Sequence, residues 1–90
     1  MLRSMIFVLH VRPEEDALLK ESLDRSYPQK SIQAAPGLYF VSVSNGTAKS
    51  VSDAVGISDG PIKVGLVASI GSYYGRLAPH VWEWVATNWP

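Results

Sequence analysis

The sequence predicts a small α+β fold with the order strand, helix, strand, strand, helix, strand, followed by a last helix. Its 90 residues suffice for one domain, which we expect to span 1–90. Hydrophobic residues make up 47 % of the chain and charged residues 18 %, a composition that excludes disorder. Along the chain, a continuous apolar run is followed by apolar residues at helical spacing, which marks the change from strand to helix.

The first strand is predicted over Met5–Val11, where β-branched and aromatic residues predominate. Both of its faces are apolar, as is typical of a central strand that is covered on both sides. A helix is predicted to begin within Arg12–Asp16, because its proline fits a first turn and its three acids complement the helix dipole. Leu19 and Leu23 continue the helix at i, i+4 spacing, and Pro28 ends it.

A hairpin and a second helix follow. Ser31–Ala35 and Leu38–Ser44 are predicted strands, and the Pro36–Gly37 pair between them has the chemistry of a tight turn. Thr47 is predicted to cap a short helix over Ala48–Val55.

The clearest alternation in the chain predicts the fourth strand. Apolar residues occupy every second position over nine residues: Ile62, Val64, Leu66, Ala68 and Ile70. Gly71–Gly75 is then predicted as a loop.

The last helix is predicted over Pro79–Asn88. Helical spacing predicts an apolar stripe of Trp82, Val85 and Trp89, with Val81 and Trp84 pointing elsewhere. We expect one set of tryptophans in the core and the other exposed or at an interface.

This order of elements is that of the ferredoxin-like βαββαβ fold. Right-handed crossovers would place both inner helices on one face of a four-stranded antiparallel sheet, with the first and third strands central. The opposite face, which holds either Ile6, Val8 and His10 or their opposite set, is also apolar. We therefore expect the C-terminal helix, a second subunit, or both to cover it.

Bulk composition excludes several classes of function. The chain has no cysteine, which excludes disulfide scaffolds and thiolate chemistry. It has no apolar run long enough for a membrane span, and its N-terminal run lacks a signal-peptide cleavage site, so we expect a cytoplasmic protein without membrane contact. Eight basic and eight acidic residues balance, which disfavours a general nucleic-acid binder.

Three segments together resemble a known family: Phe7–Val11, Leu38–Val43, and Gly71–Gly75 followed by Trp82-Glu83-Trp84. They resemble the small ferredoxin-like family of the CRISPR spacer-acquisition dimer subunit and related toxin-type endoribonucleases. The resemblance implies a homodimer and, in active members, a metal-binding Asp at the end of the first strand. His10 stands at that position here, which disfavours Mg²⁺-dependent chemistry.

Three residues with reactive side chains are weak candidates for catalysis or metal binding. His10 could act as a base or metal ligand, but no second ligand is adjacent in sequence, so we interpret it as a strand histidine. His80 is interpreted as a solvated residue of a helix start, and Asp59 as an ordinary turn residue before glycine. We therefore predict no metal site, no cofactor and no catalysis.

The strongest binding candidates lie near the C-terminus. Tyr73 and Tyr74, between glycines, and the following Arg76 could anchor a protein partner or stack on bases. Trp84 is the tryptophan expected to join them at an interface. The favoured hypothesis is a non-catalytic, homodimeric interaction module that binds a protein, or less favourably a nucleic acid, through this loop and the Trp helix.

Two alternatives remain open. One is a metal-dependent endoribonuclease in which His10 replaces the acid. The other is a regulatory domain that binds a small ligand at the dimer seam, which the fold permits without specifying it.

Overall fold

The computed structural model of the protein describes residues 4–90. They form these elements: β1 (Ser4–Val11), α1 (Asp16–Ser26), β2 (Ser31–Ala35), β3 (Leu38–Ser44), α2 (Ala48–Val55), β4 (Gly65–Ser69) and α3 (Pro79–Asn88). A 3-10 turn over Pro13–Glu15 leads into α1. Within residues 4–90, no helix has both the length and the apolar character needed to cross a membrane.

The strands of residues 4–90 form a four-stranded sheet in the order β2-β3-β1-β4. Every neighbouring pair is antiparallel, and β1 and β3 occupy the centre. The predicted α+β, ferredoxin-like arrangement is therefore confirmed. β2 and β4 are the edge strands.

Local sequence explains where α2 and the hairpin turn lie. Thr47 Oγ1 accepts a hydrogen bond from Ser50 N at 3.0 Å, and Ser50 Oγ accepts one from Thr47 N at 2.9 Å, which forms a reciprocal cap. Gly56 ends α2 with φ +86°, and Gly37 turns the hairpin with φ +80°. At Gly37 the backbone lies against the Val11 carbonyl so closely that a Cβ has no room.

The larger core lies between α1, α2 and one face of the sheet. Its buried members are Phe7, Leu9, Val11, Leu19, Leu23, Tyr39, Val41, Val43, Val51, Val55 and Ile62. Leu19 and Leu23 of α1 and Val51 and Val55 of α2 each lie one helical turn apart, so each helix presents a buried stripe to the sheet.

Part of the second face of the sheet is covered by α3, the helix that the sequence offered as a possible cover. Ile6 and Phe40 of the sheet are buried against Val81 and Val85 of the helix. The predicted stripe was wrong about Val81, which is fully buried. With Val81 and Val85 at its centre, the helix turns Trp82 to one side and Trp84 to the other, and both are half-buried.

The fourth strand is shorter than its alternation predicted. β4 begins only at Gly65, because Ile62 N donates to Gly56 O at 3.1 Å and Lys63 N donates to Glu15 Oε2 at 2.8 Å. Ile62 consequently packs in the larger core, while Leu66 remains exposed on the second face. Tertiary hydrogen bonds thus divide a continuous apolar alternation into two segments with different surroundings.

Candidate functional site

The loop between β4 and α3 is held in place by aromatic packing. The Tyr73 ring stacks on Trp82 with centroids 5.2 Å apart and planes 15° apart, and it meets Trp89 edge-on at 5.1 Å. Such pairs stabilise by about 0.5–1.5 kcal/mol beyond the area that they bury. Tyr73, although 45 % exposed, therefore anchors the loop to α3, whereas the adjacent Tyr74 is fully exposed.

Beneath this loop lies an open groove on the second face of the sheet, with a volume of about 610 Å³. Its lining residues are Val8, Phe40, Ser69, Ile70, Gly71, Ser72, Tyr73 and Tyr74. The floor is apolar, the far wall is aromatic, and the polar groups are serine and tyrosine hydroxyls and backbone. None of these lining residues is an acid, a histidine, a lysine or an arginine. The groove suits an uncharged, apolar or aromatic ligand.

The predicted binding residues do not all meet at this groove. Tyr73 and Tyr74 line it, but Arg76 and Trp84 do not. Arg76 is exposed further along the loop, and Trp84 is half-buried beside the cluster of Ile6, Phe40, Val81 and Val85. The predicted roles of Arg76 and Trp84 in binding stay predictions. Of the two side chains, Arg76 is the more exposed to solvent.

The candidate reactive side chains lie elsewhere. His10 is exposed on β1, opposite Leu38 and Leu66, beside a small cavity of about 290 Å³. His80 does not line that cavity and is exposed in the first turn of α3, while Asp59 is exposed in a turn. Throughout residues 4–90, no group of three or more histidine and acidic side chains is placed to hold a metal ion.

Glu15 does more than complement the dipole of the first helix. Its side chain is almost fully buried, accepts a hydrogen bond from Arg12 Nε at 3.1 Å, and accepts a second from Lys63 N at 2.8 Å. The bond from Arg12, followed by that from the Lys63 backbone, lowers the pKa of Glu15 below its ordinary value. Glu15 thus ties the start of α1 to the segment that enters β4.

Asp16 likewise makes tertiary contacts that the dipole interpretation missed. Its Oδ1 accepts hydrogen bonds from Gly37 N at 2.6 Å and Gln33 Nε2 at 3.0 Å, and its Oδ2 accepts one from Tyr39 OH at 3.1 Å. Burial, followed by the bond to Asp16, raises the pKa of Tyr39. Both carboxylates are therefore occupied in holding the fold together.

Sequence reasoning missed the floor of the groove. Val8, Phe40 and Ile70 lie far apart in sequence and reach one surface only because β3, β1 and β4 are neighbours in the sheet. A signal for the loop anchor was present, since Trp82 and Trp89 are seven residues apart, a spacing that predicts one side of a helix, although α3 ends at Asn88, just before Trp89.

Comparison with known proteins gave no match: neither protein-family models, nor curated proteins, nor solved structures resemble this chain significantly.

Proposed function

We propose that this protein is a small, non-catalytic interaction module, homodimeric and cytoplasmic, that binds an extended apolar segment of a partner protein. One observation carries the proposal: the groove has an apolar floor and an aromatic wall from which Tyr74 projects fully into solvent. Tyrosine is enriched among the residues that contribute most to binding at protein interfaces, so an exposed Tyr74 beside an apolar floor suits a contact residue.

The anchoring of the loop supports protein binding. Tyr73 is fixed by two tryptophans, so Tyr74 is presented on a loop whose position is already restricted. A restricted loop loses less conformational entropy when a partner binds. The uncharged lining favours a peptide over a nucleic acid, because phosphate contacts require basic side chains and Arg76 alone is close in sequence.

The proposal can be tested by selecting, from a displayed library of random peptides, those that bind the full chain. We expect selected peptides to be rich in apolar or proline residues and to perturb the NMR signals of Phe40, Gly71 and Tyr74. Tyr74→Ala should lower the affinity for the selected peptides about tenfold or more, because it removes a central aromatic contact. The matched control Leu18→Ala removes an exposed apolar side chain from α1 and should leave affinity unchanged.

Four results would count against the proposal. Failure to select any peptide removes its basis, and peptides indifferent to Tyr74→Ala place the interface elsewhere. Tyr74-dependent binding of single-stranded oligouridine, without peptide binding, assigns the loop to nucleic acid. RNA cleavage with Mg²⁺ that His10→Ala abolishes would support the endoribonuclease alternative instead.

A further inference from the structure

One edge of the sheet presents unpaired backbone groups. β4 pairs with β1 on its inner side, where Ile70 N donates to Ile6 O at 2.9 Å. Because backbone groups alternate along an antiparallel ladder, those of Leu66 and Ala68 also point towards β1. The N–H and C=O groups of Gly65, Val67 and Ser69 therefore point outwards, and in the described chain they have no backbone partner.

This edge lacks the features that usually prevent strands from pairing with other chains. Exposed edges are commonly protected by lysine, proline, a bulge or a covering element. Gly65–Ser69 contains no charge and no proline, and its register with β1 is continuous. Beside it, Val64 is 55 % exposed and Leu66 is 64 % exposed. The opposite edge strand, β2, is contacted by α3 and carries a bulge between Gln33 and Ala35.

We propose that a second copy of this chain pairs with the β4 edge, antiparallel and two-fold symmetric about Val67. The inference rests on the homodimer of the proposed function and specifies its geometry. In this register Val67 lies opposite Val67 of the partner subunit, and Gly65 lies opposite Ser69 of the partner subunit. It is the register that pairs all of β4 with all of its copy, and it satisfies every outward N–H and C=O group of Gly65, Val67 and Ser69.

Side chains and charges are compatible with this register. Leu66 lies opposite Ala68 of the partner subunit, on the second face, so the most exposed leucine gains a small apolar neighbour. Lys63, the nearest charged residue in sequence, lies opposite Gly71 of the partner subunit and meets no like charge. The symmetry axis is perpendicular to the sheet, so the two grooves open on the same side and can bind two segments of one partner.

The oligomeric state of the full chain tests the edge directly. Light scattering should give a dimer for the wild type and for Ser69→Ala, which keeps the backbone donor. Ser69→Pro removes that outward N–H and places its ring against the partner strand, without removing a bond to β1, so it should be monomeric with an unchanged circular dichroism spectrum. A monomeric wild type, or a dimeric and folded Ser69→Pro, overturns the inference.

Cysteine cross-linking tests the register even if Ser69→Pro does not fold. The chain has no cysteine, so Leu66→Cys and Ala68→Cys each introduce a single thiol. Opposite residues of a non-hydrogen-bonded pair have Cα atoms about 4.5 Å apart, within reach of a disulfide. A mixture of the two variants should therefore form a disulfide dimer that neither forms alone.

The same cysteine experiment can refute the register, and a separate variant separates this inference from the proposed function. Absence of the mixed disulfide, or equal cross-linking in the separate variants, contradicts the pairing about Val67. Tyr74→Ala should remain dimeric, because Tyr74 lies outside β4. A dimer that binds no peptide would thus refute the proposed groove and leave the paired edge standing.

Discussion

Asp16→Asn is expected to destabilise the protein, because it weakens the hydrogen bonds that connect α1 to the β2–β3 hairpin. Asp16 accepts hydrogen bonds from Gly37 N at 2.6 Å, Gln33 Nε2 at 3.0 Å and Tyr39 OH at 3.1 Å. The bonds from Gly37 and Tyr39 are partly buried, whereas the bond from Gln33 is exposed. Asparagine has nearly the same shape, so the substitution leaves the packing intact while it removes the charge and replaces one acceptor oxygen by an NH2 donor. If the remaining oxygen keeps the bonds from Gly37 and Gln33, the NH2 group faces Tyr39 OH, and that bond must reverse its direction.

The magnitude follows from the two partly buried bonds. A hydrogen bond to a charged group contributes about 1.5–3 kcal/mol and a neutral one about 0.5–1.5 kcal/mol, so each bond weakens by about 1 kcal/mol. The exposed bond from Gln33 adds little, because water replaces it. We expect the free energy of unfolding to fall by about 2 kcal/mol, which lowers Tm by about 8–16 °C in a domain of this size.

Urea and thermal unfolding, followed by tryptophan fluorescence and circular dichroism, measure this loss. The matched control is Asp24→Asn, the same chemical change on the same helix at an exposed carboxylate that pairs with Lys20 at 2.8 Å. It should change Tm by about 4 °C at most. Equal Tm values for the two variants, or an Asp16→Asn variant as stable as the wild type, would refute the reasoning.

Three further predictions concern stability. Gly37→Ala should cost at least about 2 kcal/mol, because φ is +80° and the Val11 carbonyl fills the space of a Cβ. Val85→Ala should cost about 2 kcal/mol in urea unfolding, because it leaves a cavity under α3. Because the pKa of Glu15 is lowered on folding, its contribution is complete above the ordinary value of 4.5 and is lost as pH falls through the folded pKa. Glu15→Gln should therefore lose less stability than the wild type between pH 7 and the acid range.

Each of these has a matched control. Gly75→Ala adds a Cβ in open space and should not change Tm, so an equal loss at both glycines would contradict the steric argument. Thr87→Ala on the exposed side of α3 should be neutral, and if Val85→Ala is neutral as well, α3 does not pack as described. The exposed Glu14→Gln should retain the wild-type acid transition, and the argument fails if Glu15→Gln retains it too.

Local sequence patterns predicted the elements well where short-range chemistry decides them. The hairpin strands, α2 and α3 lie within the predicted bounds, because a Pro-Gly turn, a threonine cap and a proline at a first helical position act over a few residues. The fourth strand was less predictable. The Ile62–Ile70 alternation continues across a point where the backbone leaves the sheet, and the cause is a hydrogen bond from Lys63 to Glu15, 48 residues earlier.

The candidate site was predictable only in part. Adjacent tyrosines between glycines indicated a binding loop, and the loop does border a groove. Which tyrosine anchors and which is exposed depends on where α3 places Trp82 and Trp89. The sequence also predicted Trp84 as a binding residue. Trp84 instead packs beside the second core, because the buried side of the helix is centred on Val81 and Val85.

The sequence by itself determined the order of elements and the absence of cysteine chemistry. It also showed that the chain has more apolar surface than one face of the sheet can bury. Periodicity and capping are local and can be read along the chain. Only the tertiary structure decided that α3 covers part of the second face, that Glu15 and Asp16 are structural, and that β4 has an unprotected edge. Those outcomes depend on which distant segments come into contact. The contacts are set by the whole chain, which must fill its interior densely and leave few buried polar groups without hydrogen bonds.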